Sequence, residues 1–199
     1  LKDYDYSQLG LYFVTICCQD KTCFFGLIEN HEMKLNDEGK MIQKWYYELE
    51  NKFPDIKCHE MIVMPNHIHF IIENVGADLR VRPINKNELN VGADLRVRPI
   101  NKNELNVGAD LRVRPLPNSD NILGEHIGSP LHQVVQWFKT MTTNEYIRGV
   151  KNNGWKPFNG KLWQRSYYEH IIRNSESFHN ISEYIKNNPI KWEEDNYVI

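Results

Sequence analysis

The middle of this chain is a perfect tandem repeat, and it limits what the rest can build. Residues 74–89, NVGADLRVRPINKNEL, recur unchanged at 90–105, and a third copy starts at Asn106 and diverges after Pro115 into LPNSD. A period this short, with only two and a half copies, would stack into a unit too thin to bury a core, so a solenoid is excluded. Identity between the copies points instead to duplication of a short DNA segment, tolerated in a surface loop because closure entropy grows slowly with loop length. We therefore expect one domain over 1–199, interrupted by an insertion at about 75–127, with the fold carried by the flanking sequence. The Asp-Leu-Arg-Val-Arg stretches could pair as short strands, or their Arg and Lys could trail along nucleic acid; a neutral insertion is the simpler reading.

Hydrophobic residues make up 41% and charged residues 25%, which excludes wholesale disorder and fibrous architectures. No apolar run approaches the ~18 residues of a membrane span. The start, Leu1 to Asp5, has neither the basic end nor the apolar stretch of a signal peptide. A cytoplasmic protein without membrane contact is expected, and the lack of an initiator Met suggests that residues upstream are missing. Cys17, Cys18, Cys23 and Cys58 show no CxxC spacing, as suits small buried residues in a reducing compartment. The net charge of −2 hides a gradient: residues 1–73 carry 7 Lys+Arg against 12 Asp+Glu, while 131–173 carry 7 against 2. One half of the domain can therefore face a polyanion.

Outside the insertion the patterning is mixed. GLYFVTICC (10–18) is aromatic and β-branched and reads as a strand. Asn36 is a plausible cap for a helix whose apolar positions Met41, Ile42, Trp45, Tyr46, Leu49 and Phe53 fall three and four apart, with Pro54 ending it. IKCHEMIVM and HIHFIIE read as two strands joined at Pro65-Asn66. Ser129, as capping hydroxyl ahead of Pro130, starts a helix buried through Leu131, Val134, Val135, Phe138 and Met141. LWQRSYYEHII (162–172) reads as a further strand, and Asn174 or Ser175 caps a last helix running to Asn188 and stopped by Pro189. The order strand, helix, strand, strand, insertion, helix, strand, helix predicts an α+β fold: a ferredoxin-like sandwich, an antiparallel sheet with helices packed on it, plus an appended C-terminal helix.

Two pairs of residues can carry chemistry. Residues two apart on a strand share a face, so His67 and His69 project together. They are either half of a metal site or two solvent-facing imidazoles. Tyr184 and Asn188 lie one helical turn apart, beside the row Phe178, Ile181 and Ile185. A phenol and an amide there can be a nucleophile and an oxygen ligand at one metal, or a packing tyrosine and an asparagine that closes the helix. Residue types alone leave both readings of each pair open.

MPNHIHFII, then FKTMTTNEYI, LWQRSYYEHIIR and YIKNNP in that order, resemble the single-tyrosine HUH transposases, and most of all the REP-associated tyrosine transposases. The likeness spans residues 5 to about 75 and 128 to about 192. It implies that His67, Ile68 and His69 are the His-hydrophobe-His motif, that Tyr184 is the catalytic nucleophile, and that Asn188 stands where the family places its third metal ligand, often a Gln. The metal so implied is Mg²⁺ or Mn²⁺; Mg²⁺ prefers oxygen ligands, while imidazole also suits Mn²⁺. The implied reaction is metal-dependent cleavage and rejoining of single-stranded DNA bearing a REP-like hairpin, through a covalent 5′-phosphotyrosine. Family members work in cis or as a homodimer in trans, and both remain open on the sequence.

Trp163, Arg165, Tyr167, Tyr168, His170 and Arg173 interleave aromatic and cationic groups, a combination suited to stacking single-stranded bases and holding phosphates. About half of these face inward if the segment is a strand. Lys139 is a candidate phosphate contact. The competing reading of the whole chain is a non-catalytic single-stranded nucleic-acid-binding module on the same fold.

Overall fold

In the computed structural model, which describes residues 5–76 and 128–194, the run after Gly10 forms strand β1 (Gly10–Cys17). A hairpin of two short strands, β2 (Gly26–Glu29) and β3 (Glu32–Leu35), follows, its two-residue turn taken by Asn30 and His31 at φ +52° and +63°. Helix α1 (Asp37–Lys52) begins where expected, with the Asn36 side chain accepting from the Gly39 amide. Strands β4 (Ile56–Val63) and β5 (His67–Asn74) form the expected hairpin, with a bulge between Cys58 and Met61. Beyond Asn74 come α2 (Leu131–Asn152), β6 (Tyr168–Ile172) and α3 (Ser175–Asn187), then a 3₁₀ stretch over Asn188–Glu194. From residue 77 to 127 the insertion lies outside the described residues. Of the residues flanking it, Asn74 Nδ2 donates to the Ser129 carbonyl at 3.3 Å.

The main sheet has the order β4-β5-β1-β6 with every pair antiparallel. This is the ferredoxin-like arrangement, two interleaved βαβ units sharing one sheet. Alternation assigns the faces. Tyr12, Val14 and Ile16 of β1 and Ile68, Phe70 and Ile72 of β5 point into the main core with Tyr46 and Leu49 of α1 and Val134 and Phe138 of α2. The opposite face packs Phe13, Ile71 and Ile172 under Ile185, Ile181 and Phe178 of α3. Both faces of β5 are thus covered, and seven of its eight residues are buried. Full burial of Ile185 stabilises the α3 interface by about 1.5–3 kcal/mol.

Three expectations are corrected. Ser129 does not cap α2: its backbone and hydroxyl both donate to Asp55, and Pro130 occupies the cap position without a side-chain bond. Met141 is only half-buried, and Thr142 and Tyr146 complete the inward face instead. The strand expected over 162–172 is confined to 168–172. Residues 162–167 are irregular, meeting the chain at the end of β1 through a bridge between Trp163 and Cys18, just past the strand, and a Gln164 N–H bond to the Cys17 carbonyl. The last α-helix stops where expected, at Asn187 with Asn188 as its cap ahead of Pro189, and the chain continues as a 3₁₀ stretch.

Candidate active site

β5 carries His67 and His69 on the face that α3 covers, and both imidazoles are buried. Their Nε2 atoms lie 3.0 Å apart. Burial holds the pKa of His67 down to about 2, with the neighbouring imidazole adding to the effect, and that of His69 to about 3. Both rings are therefore neutral at physiological pH and can offer a lone pair. Around them, Asn66 Oδ1 sits 2.8 Å from His67 Nδ1 and the Thr15 hydroxyl 2.8 Å from His69 Nδ1. Phe13 stacks on His69 with centroids 5.5 Å apart, and Trp192 stacks on His67 at 6.0 Å.

Helix α3 delivers the phenol. Its start is set by Asn174 Oδ1, which accepts from the Ser177 amide at 2.8 Å, and its apolar row fixes rotation against the sheet. With the row inward, Tyr184 projects over the sheet: its hydroxyl is 3.4 Å from His69 Nε2, and its ring meets Phe13 edge-on at 6.1 Å. The ring remains 40% exposed. Asn188, one turn on, is buried, and its Oδ1 has no hydrogen-bond partner among the described residues. A buried amide oxygen without a partner carries a desolvation cost that a cation would offset. The two neutral imidazole nitrogens facing each other and the amide oxygen of Asn188 are each donors of a kind that a divalent cation accepts. Grouped His, Cys, Asp and Glu alone make no metal site among the described residues.

The residues expected to meet DNA divide. Trp163 is corrected to a core residue: it is 5% exposed, packs against Phe25 and Phe138, and donates Nε1–H to Thr142 at 2.9 Å. Lys139 is likewise engaged, its ammonium donating to the carbonyls of Gln164, Arg165 and Ser166 at 3.0, 3.2 and 3.2 Å. Those bonds use all three of its donors. Burial draws its pKa down to about 8. Tyr167 packs at the edge of the main core under that ammonium. Arg165, Tyr168, His170 and Arg173 are exposed. Tyr168 pairs with Thr15, which pairs with His69, so Tyr168 stands on the imidazole face, two strands away from His69. His170, opposite Phe13, shares that face.

Sequence reasoning missed Phe13, Thr15, Asn66 and Trp192. Alternation along β1 puts Phe13 and Thr15 on one face, a usable signal. Nothing in the residues after Pro189 indicates that Trp192 returns to His67.

The family model "Transposase IS200 like" matches residues 123–188, which include α2, β6, Tyr184 and Asn188. An uncharacterised protein of Haemophilus influenzae is 35% identical over 207 residues, covering 98% of this chain and 88% of its own. The chain belongs to the IS200-like transposase family. Members of this family are DNA-processing enzymes. Two solved structures are also similar. One is a REP-associated tyrosine transposase bound to a REP hairpin, 15% identical over 98% of this chain and 72% of that one, with a TM-score of 0.46. The other, from Deinococcus radiodurans R1 and provisionally called a transposase, is 12% identical over 94% and 96%, with a TM-score of 0.41. Among the described residues of this IS200-like protein, no helix is long and apolar enough to cross a membrane.

Proposed function

We propose that this protein cleaves and rejoins single-stranded DNA bearing a REP-like hairpin, with Tyr184 as covalent nucleophile and His67, His69 and Asn188 as ligands of a divalent cation. The observation that carries this reading is the approach of the Tyr184 hydroxyl to within 3.4 Å of His69 Nε2, itself 3.0 Å from His67 Nε2. A phenol and two neutral imidazoles meet there, drawn from elements 115 residues apart in sequence.

A cation bound by these residues, Mg²⁺ or Mn²⁺, supplies neutralisation of the non-bridging phosphate oxygens. His67 and His69 contribute by staying neutral, and their burial keeps competing water from the donor atoms. Tyr184 Oη attacks phosphorus, the Oη–P bond forms, the P–O3′ bond breaks, and the leaving 3′ oxygen takes a proton from solvent to become a 3′ hydroxyl. The phenolic proton leaves to solvent, which reaches the half-exposed ring. Reversal by another 3′ hydroxyl rejoins strands and frees Tyr184. Phe13 holds the His69 and Tyr184 rings in register. Tyr168, on the same face, offers a stacking surface for a base beside the reacting phosphate.

The test is incubation with hairpin-bearing single-stranded DNA and Mn²⁺ or Mg²⁺, followed by denaturing electrophoresis. The expected result is a protein–DNA adduct that disappears in Tyr184→Phe and upon chelation. Retention of DNA without an adduct would refute the reading and identify a binding module; cleavage that survives Tyr184→Phe would identify a hydrolase.

A further inference from the structure

Asn66 sits in the turn between β4 and β5 and is 1% exposed. Its Nδ2 donates to the Lys21 carbonyl at 3.0 Å. A carbonyl only accepts, so the amide orientation is settled: Nδ2 faces Lys21 and Oδ1 faces His67 Nδ1 at 2.8 Å. The amide oxygen also only accepts. His67 Nδ1 must therefore carry the proton, which leaves the lone pair on Nε2, the nitrogen that faces His69. Thr15 imposes no such choice on His69, because a hydroxyl can either donate to Nδ1 or accept from it.

The Lys21 carbonyl is itself placed by an unusual backbone. Asp20 and Lys21 take φ of +56° and +51° in succession, a left-handed conformation that non-glycine residues rarely adopt. The segment is pinned on several sides: Cys18 N–H bonds to the Asn66 carbonyl at 2.8 Å, Gln19 N–H to the Leu162 carbonyl at 2.9 Å, and Phe24 N–H to the Pro65 carbonyl at 2.9 Å. The loop after β1 and the β4–β5 turn thus hold each other, and the Asn66 side chain connects that clamp to the imidazole.

We infer that Asn66, anchored by the Lys21 carbonyl, is a positioning residue that locks His67 in its Nδ1–H tautomer and aims the Nε2 lone pair at the gap between the two imidazoles, readying it for a divalent cation. The tautomer follows from the hydrogen bonds alone; its use in metal uptake rests on the reading proposed above. Partners of this kind orient metal-binding imidazoles and typically change affinity by ~10–100-fold when removed.

The test is long-range ¹H–¹⁵N correlation on ¹⁵N-histidine-labelled, metal-free protein at neutral pH, with Mn²⁺ titrated by calorimetry. The wild type is expected to show His67 protonated on Nδ1. In Asn66→Ala the ring is expected to shift toward the Nε2–H form and the Kd for Mn²⁺ to rise by ~10–100-fold. Asn66→Asp, which keeps the acceptor, is expected to restore the Nδ1–H signature. A wild-type His67 protonated on Nε2, or an Asn66→Ala protein with unchanged tautomer and unchanged affinity, overturns the proposal. Should Asn66→Ala not fold, the wild-type spectrum alone decides. An Nδ1–H signature in a wild type that binds no Mn²⁺ overturns the metal reading while leaving the tautomer assignment standing.

Discussion

Lys139→Met separates two roles that a lysine beside a basic segment can have. The ammonium donates to three carbonyls of residues 164–166 and lies over the Tyr167 ring at 5.5 Å. Only the Gln164 bond is wholly part-buried; the other two are exposed, and water replaces the donor there at little cost. A part-buried hydrogen bond to a charged donor is worth about 1.5–3 kcal/mol and the cation–π contact about 0.5–1 kcal/mol. Methionine keeps the stem and loses both, so the variant should be about 2–4 kcal/mol less stable in urea with an unchanged m-value. Binding to single-stranded DNA supplies the second readout. A lysine on a phosphate contributes about 0.7 to the slope of log K against log salt, whereas a lysine that only ties down a loop contributes nothing to it. We predict lowered stability with an unaltered salt slope. Unchanged stability together with a slope smaller by about 0.7 would refute the clamp and return Lys139 to the DNA contacts.

Tyr168→Ala should weaken single-stranded DNA binding by about 1–3 kcal/mol, the range for loss of one base stack, without moving the thermal midpoint, because the ring is 63% exposed; a drop in the midpoint with undiminished affinity would make it a packing residue. Thr142→Val removes the acceptor of the buried Trp163 N–H and should cost about 1–3 kcal/mol in urea unfolding; a neutral effect would contradict the core assignment of Trp163. For the metal-free protein, acid should destabilise the fold. His67 and His69 titrate at about 2 and about 3 in the fold against 6.5 when unperturbed, so the unfolded chain binds more protons between those limits. Their contribution is intact above pH ~6.5 and is lost as pH falls, by up to about 1.4 kcal/mol per pH unit per imidazole. Urea midpoints that stay flat from pH 6.5 to 5 would show the rings to be accessible to protons.

Features set by local chemistry were readable from sequence. Asn36 and Asn174 cap their helices because a short amide side chain reaches the third amide of the first turn, and the row Phe178, Ile181 and Ile185 set which way Tyr184 and Asn188 project. The His pair was legible because strand periodicity is 2. What depended on tertiary partners was not. Ser129 ahead of Pro130 has the pattern of a cap, but Asp55, 74 residues away, takes its donors. Trp163 looked like a DNA-stacking residue because aromatic and basic residues alternate around it, but a single bridge to Cys18 turns the indole inward to Thr142. The β2–β3 hairpin was missed because its strands have four residues each and alternate exposed with half-buried positions. The role of Trp192 depends on a 3₁₀ path through Pro189 that no local rule anticipates.

Reaction of the exposed phenol of α3 at the imidazole pair of β5 would leave the DNA on a single side chain. Proteolysis of the protein–DNA adduct, with mass spectrometry of the nucleotide-bearing peptide, identifies that side chain. A 5′-phosphonucleotide is expected on Tyr184 and on no other tyrosine. Attachment at Tyr168 or elsewhere, or no modified peptide from a reaction that nonetheless cuts the strand, would contradict it.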